Sequence, residues 1–526
     1  MRSLFTLFVL FLVINASAQN VSNYRTRVLL IPLDDRPPCL QFTQKMGLIG
    51  NAEVVSPPKE LLGNFTTPGQ PEKIIAWLNK QNFKMFNAAV ISLDMLAYGG
   101  LVASRIHHTQ LAPALSRIDV IKKIHQLAPH LPVYGQSVIM RLAPTGDGKN
   151  EAYRQKLADW AEISVAEDEV SKKRAAELVR DIPTEALTDY KASRKRNLSV
   201  NYKAIDFVRS GIIDYLILSQ DDAKPRGIHV ADREQLIERS KKFNLTSKIL
   251  VMPGADEISM LLLSRALNKR FNFSPKIKAV YSSEELSNKA MPFEDRPLRQ
   301  TVSYDIAAIG ATEVTDAAKA DLLFYVYPSR FETGNAQSFA SEIEKQTDNG
   351  KHVIVADIDP KGDVQGGDPN FSTELLRRRL LPRLYSYASW NTAGNTIGTT
   401  LPQGVIYALA KAKMKQVGPK VSKQIELAEH WFTFHRVLDD YYYHTLVRGK
   451  AKTYIQDNKY NPLRLTLEET QKVESYCMSL LSINFKELSD SYTSNQVTAI
   501  GFKPSGMTFA LPWGRTFEAE IDFKVH

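Results

Sequence analysis

Arg27-Val28-Leu29-Leu30-Ile31-Pro32-Leu33-Asp34-Asp35-Arg36-Pro37 is the stretch that decides the fold. Its first seven residues are nearly all apolar, and the run then breaks into two acids, an arginine and a proline. A short apolar run of this kind, closed by turn residues and followed by a segment of helical spacing, is the signature of a strand in a covered parallel sheet. The same unit recurs down the chain. Strands are expected at Arg27 to Leu33, Ala52 to Val55, Ala88 to Leu93, Val133 to Met140, Tyr215 to Ser219, Lys248 to Met252, Lys278 to Tyr281, Leu322 to Tyr327, His352 to Ala356 and Leu384 to Ala388. Amphipathic segments such as Pro71 to Gln81, Leu115 to Leu127 and Arg233 to Lys242 lie between them.

This alternation predicts an α/β protein of parallel sheets with covering helices. Two α/β units and a (β/α) barrel followed by a smaller α/β unit give the same pattern, and we expect two units. The interval from about Pro144 to Ser210 holds helical patterns and reads as an insertion. Past Ala410, Lys413 to Tyr443 and Leu467 to Leu488 read as helices, and Thr498 to Val525 alternates like a small β element. The expected division is a signal peptide over 1–18, an α/β domain over 19–270 with a helical insertion at about 144–210, a second α/β domain over 271–410, and a mainly helical C-terminal region with a short β tail over 411–526.

The signal peptide is expected because Met1-Arg2-Ser3 precedes an apolar run, Leu4 to Ile14, too short to span a bilayer. Ala16-Ser17-Ala18 follows, so cleavage is expected between Ala18 and Gln19, giving a soluble periplasmic or secreted chain with no integral membrane segment. Two cysteines, Cys39 and Cys477, are too few for a disulfide framework, although one bridge is allowed. The formal charge of +10 permits an acidic ligand. Without zinc-finger spacing or an aromatic-basic RNA signature, nucleic acid is not an expected partner.

The chemistry is expected where strands end. Leu33 runs into Asp34, Asp35 and Arg36; Leu93 into Asp94; Gln220 into Asp221 and Asp222; Gly254-Ala255 into Asp256 and Glu257; Ala356 into Asp357; and Trp390 into Asn391 and, further on, Asn395. All strands of a parallel unit share one carboxyl edge, and ligands bind in the crevice there. Capping of the next helix is the competing role for any single Asp or Asn. Paired acids exceed what a cap needs, so Asp221 and Asp222 are the candidate catalytic residues. Two neighbouring carboxyls in a dry site cannot both ionise cheaply, so one can donate a proton while the other stabilises positive charge. That division suits glycoside cleavage.

Asp34, Asp35, Arg36, Asp94, Arg105, Arg141, Asp256, Glu257, Asp357, Trp390, Asn391 and Asn395 are the candidate substrate-binding residues, with Trp390 as an aromatic platform. No cofactor is expected. Were a hard cation held, Asp221, Asp222, Asp256 and Glu257 would hold it. His-Glu-x-x-His, Gly-x-Ser-x-Gly, phosphate-loop and dinucleotide fingerprints are all missing from the sequence. The expected function is that of a glycosidase-like hydrolase acting on a carbohydrate or glycan fragment. The alternatives are a non-catalytic two-lobed carbohydrate-binding protein and a metal-dependent hydrolase of phosphate or amide bonds.

Several of these blocks also carry a resemblance. Ile31 to Pro37, Ser92 to Leu101 with Ser104-Arg105, Asp221-Asp222, Pro253 to Glu257 and Trp390 to Gly398 resemble, in this order, an exported bacterial family, DUF4127. The resemblance implies a family and brings no activity with it. The Asp221-Asp222 strand end is also similar to the paired aspartates of substrate-assisted hexosaminidase barrels, over that one short motif.

Overall fold

The structure is a computed structural model and describes residues 26–331, 335–362, 365–413, 418–493 and 500–526; the expected signal sequence lies outside them. Two open parallel sheets form the framework, and neither closes into a barrel. The first contains β1 (Thr26–Ile31), β2 (Ala52–Val55), β3 (Ala88–Ser92), β4 (Val133–Ile139), β5 (Tyr215–Gln220) and β6 (Ile249–Pro253), in the order β2-β1-β3-β4-β5-β6. The second contains β7 (Lys276–Tyr281), β8 (Thr312–Glu313), β9 (Leu322–Tyr327), β10 (Val353–Asp357) and β11 (Ser386–Ala388), in the order β11-β10-β9-β7-β8. A hairpin of β12 (Pro504–Ala510) and β13 (Glu520–Val525) completes the chain.

All ten expected strands are present, each within two or three residues of its expected ends. The two-residue β8 is additional, since so short an exposed edge has no pattern to read. The first sheet reverses direction of growth between β1 and β3, and the second between β7 and β9. Such switch points leave a crevice at the carboxyl edge, because successive loops part to opposite faces.

One continuous apolar core runs beneath both sheets and into the C-terminal region. Its centre is a pair of helices, Ile258–Arg270 from the first sheet and Ala393–Lys413 from the second, packed against each other. Ala393–Lys413 is buried on all sides from Ala393 to Ala410, which explains its polar composition without charge. Hydroxyls of Thr399 and Thr400 donate to the carbonyls of Asn395 and Thr396, so their polarity is satisfied within the helix.

Between β4 and β5 stand the helices Arg154–Ile163, Glu169–Arg180 and Thr184–Arg209. The expected helix Leu115 to Leu127 is two helices, Leu111–Ile118 and Val120–Leu127, which meet at Asp119. Within the expected helix Lys413 to Tyr443, Pro419–Arg436 is α-helical and Val437–Val447 widens into a π-helix. Arg448–Asp457 and Leu467–Thr493 follow. Cys39 and Cys477 are both buried and free. Among the described residues no helix is long and apolar enough to cross a membrane.

Candidate active site

The carboxyl ends of β1, β3, β4, β5 and β6 open onto a cavity of about 470 Å³, faced from the second sheet by the loops after β10 and β11. The helix Arg448–Asp457 and the loop of the β12–β13 hairpin complete its walls. Its volume is that of an ordinary small-ligand site.

β5 ends at Gln220, and Asp222 takes the left-handed backbone conformation (φ 40°). An aspartate tolerates that conformation better than most residues. With the strand already ended, Asp221 and Asp222 both line the cavity. Each meets an arginine: Arg105 Nη2 donates to Asp221 Oδ2 at 2.6 Å, and Arg141 Nη1 donates to Asp222 Oδ2. Burial alone would push the Asp221 carboxyl up, but the charges of Arg105 and Arg141 outweigh it and hold the group below its ordinary value. Asp221 is therefore a fixed carboxylate and not a proton donor.

The raised carboxyls of the cavity lie elsewhere. Glu294, in the loop before the helix Leu298–Ala308, lines the cavity and is pushed up to about 8 by burial and by the charge of Glu257. Its Oε1 accepts the backbone N–H of Gly394 at 3.0 Å. Glu257 is fully buried behind it and likewise lies at about 8, again chiefly through burial. Asp305, deeper still, is raised by burial and by both glutamates. The three acids can coexist in an apolar surrounding because most of that charge is absent at neutral pH.

Arg36 organises the β1 end of the cavity. Its guanidinium donates to Asp256 through two bonds of 2.6 and 2.9 Å, to Asp34 at 2.7 Å and to Glu518 at 3.0 Å. It also lies 4.6 Å from the ring centre of Trp513, whose Nε1 donates to Asp35 at 2.7 Å. The last turn of the chain is thus pinned to the first strand. Burial and the neighbouring charge of Asp34 raise Asp35 to about 6, and burial raises Asp256 to about 6 against the pull of Arg36.

Of the sequence candidates, Arg36, Arg105, Arg141, Asp221, Asp222, Asp256, Asn391 and Asn395 line the cavity. Asn391, also left-handed (φ 59°), accepts from Gln365 at 2.8 Å. The others stand back from it. Asp34 and Asp35 support Arg36 and Trp513. Asp94 accepts the backbone N–H of Val138 at 2.8 Å and ties β3 to β4, with burial raising it to about 7. Asp357 accepts the N–H of Asp368 at 2.6 Å and fastens the loop after β10. Trp390 offers no platform. It is buried, its Nε1 donates to Thr399 at 3.1 Å and its ring meets Phe42 edge-on, because the helix that follows draws it into the core.

The acids expected to share a cation do not form a group, since three of them hold arginines and Glu257 is sealed off. Among the described residues the one cluster with metal-ligand spacing is Asp34, Cys39 and Asp256. There Arg36 already binds both carboxylates, and burial keeps Cys39 a thiol, packed with Leu33, Leu101, Val138 and Ala255.

Sequence reasoning missed Glu294 and the C-terminal contributors Arg448, Lys452, Trp513, Arg515 and Phe517, together with Arg154. One signal was available for Glu294. Glu294-Asp295-Arg296-Pro297 repeats the acid-Asp-Arg-Pro pattern of Asp34 to Pro37. The tail offered another, since Trp513-Gly514-Arg515 sits at the turn of an alternating hairpin.

A family model described as a protein of unknown function, DUF4127, matches residues 28–522. No curated protein matches the chain.

Proposed function

The chain belongs to the DUF4127 family, and from the site itself we propose that it is an exported hydrolase that cleaves a glycosidic bond in a carbohydrate held between its two sheets. One observation carries this reading. A carboxyl kept protonated at neutral pH, Glu294, and a carboxylate kept ionised, Asp221, line the same cavity. Environments that push two carboxyls apart assign the acid and its charged partner. Glu294 gives its proton to the departing glycosidic oxygen as that bond breaks. Asp221 stabilises the positive charge developing on the sugar ring, and water adds to the anomeric carbon. Asp222, about a third exposed at its side chain, stands toward solvent and accepts the proton that this water releases.

The test is Glu294→Gln and Asp221→Asn assayed on a panel of aryl hexosides, N-acetylhexosaminides and uronides. Glu294→Gln is expected to slow turnover by about a hundredfold or more, less for better leaving groups, and to remove the fall in rate expected of the wild type as pH rises through about 8. Unchanged turnover in this variant removes the proposed acid. Binding without turnover by the wild type favours a two-lobed clamp, a reading supported by the arginine partner of each cavity aspartate.

A further inference from the structure

The charges around the cavity do not balance. Four of its cations, Arg36, Arg105, Arg141 and Arg515, are each ion-paired with an acid. Three others that line it, Arg154, Arg448 and Lys452, have no carboxylate within ion-pair distance among the described residues. Arg154 donates through Nε to the carbonyl of Pro144 at 3.0 Å, and Arg448 through Nε to the carbonyl of Thr516 at 2.8 Å. In both, the terminal guanidinium nitrogens have no hydrogen-bond acceptor among the described residues. Burial lowers Arg448, and burial together with the charge of Arg448 lowers Lys452. Arg448 and Lys452 thus repel one another without counter-charge in a partly desolvated hollow that Arg154 also lines, and a bound anion relieves that cost.

Apolar surface lies beside them. Phe517 packs against the guanidinium of Arg448, with 5.4 Å from the charge centre to the ring centre, and Phe293 and Leu463 are exposed at the cavity wall. A sugar ring presents apolar C–H faces to such surface while its charged substituent reaches the cations.

We infer that Arg154, Arg448 and Lys452 form a subsite for an anionic substituent of the ligand, so that the carbohydrate bound in the cleft is acidic. The shared chemistry is an oxyanion, which a uronate carboxylate, a sulfate ester or a phosphate ester each supply. The inference takes the cleft to be the ligand site, as the proposed hydrolase does, and does not need hydrolysis to occur.

Titration calorimetry on the full mature chain tests it with four probes of similar size: an oligogalacturonide, a sulfated oligosaccharide, a phosphorylated oligosaccharide and a neutral oligoglucoside. At least one acidic probe is expected to bind about tenfold or more tightly than the neutral one, and to weaken as salt rises from about 50 to about 500 mM. Which acidic probe binds identifies the substituent. Lys452→Gln, a change at an exposed position, and Arg448→Gln are each expected to weaken that probe by about tenfold and to weaken the neutral probe by less. Lys472→Gln, which removes an exposed cation that does not line the cavity, should weaken neither. The subsite is overturned when no acidic probe binds, when the neutral probe binds as well as the acidic ones, or when Lys452→Gln and Arg448→Gln both leave affinity intact. Glu294-dependent turnover together with equal binding of the neutral and acidic probes would sink the subsite and spare the hydrolase. Salt-sensitive acidic binding without turnover would do the reverse.

Discussion

Arg36 serves three carboxylates at once, and only a guanidinium has the geometry to do so. Its two-bond contact with Asp256 and its bonds to Asp34 and Glu518 need planar, diverging donors, which an ammonium group lacks. Arg36→Lys should therefore leave buried carboxylate oxygens without partners and destabilise the fold by roughly 3–5 kcal/mol, read from urea unfolding. A loss below about 1 kcal/mol, the scale of a surface pair, would mean that the surrounding acids rearrange or take up protons. Asp221 illustrates the same dependence on a partner. Its carboxyl chemistry is decided by Arg105, which lies 116 positions away in the chain. Nothing adjacent to Asp221 in sequence announces that partner.

Among the elements, the helix Ala393–Lys413 shows how close packing shapes the site. A methyl group placed on Gly398 would lie 2.3 Å from Glu257 Cγ, and one on Gly394 would lie 2.9 Å from Glu294 Oε1. These glycines let two buried glutamates approach the helix surface. Gly398→Ala is thus expected to destabilise by about 1–3 kcal/mol through overpacking. Gly449→Ala, in the exposed helix Arg448–Asp457 where a methyl group meets nothing within 4 Å, should stabilise by about 0.5–1 kcal/mol. Chemical denaturation of the two variants side by side checks both signs. The π-helix Val437–Val447 was not legible as such, because the widening of a helix by one residue per turn leaves no mark in residue types or spacing. What is special about the segment is tertiary: Arg436 is bound by Asp439 and Asp440, and Asp440 also accepts the backbone N–H of Ser389 at the end of β11.

Over the whole molecule, buried carboxyls set the pH response. Glu257, Glu294 and Glu429 are each raised by burial from the ordinary 4.5 to about 8. The folded state therefore holds these protons more tightly than the unfolded chain. The stability they contribute is complete below about 4.5 and is lost as pH rises through about 8. His430 and His435 act oppositely, since burial lowers them to about 4 and about 3, so stability is lost as pH falls from 6.5 toward those values. Calorimetry from pH 6.5 to 9 should show a falling melting temperature, with a shallower fall in Glu257→Gln. A flat wild-type profile would mean that these glutamates are already ionised in the fold. The succession of strands, the parallel α/β class and the placing of acids just after strands were readable from the chain alone, because apolar runs and their Asp, Gly and Pro punctuation are properties of short windows, whereas the order of strands within each sheet was not. The ionisation of each acid, the retreat of Trp390 into the core and the entry of Trp513 and Arg515 into the cleft were decided only in three dimensions. Contacts such as Arg36 with Glu518 span 482 positions, and a carboxyl's charge depends on the burial and the counter-charge it finally meets.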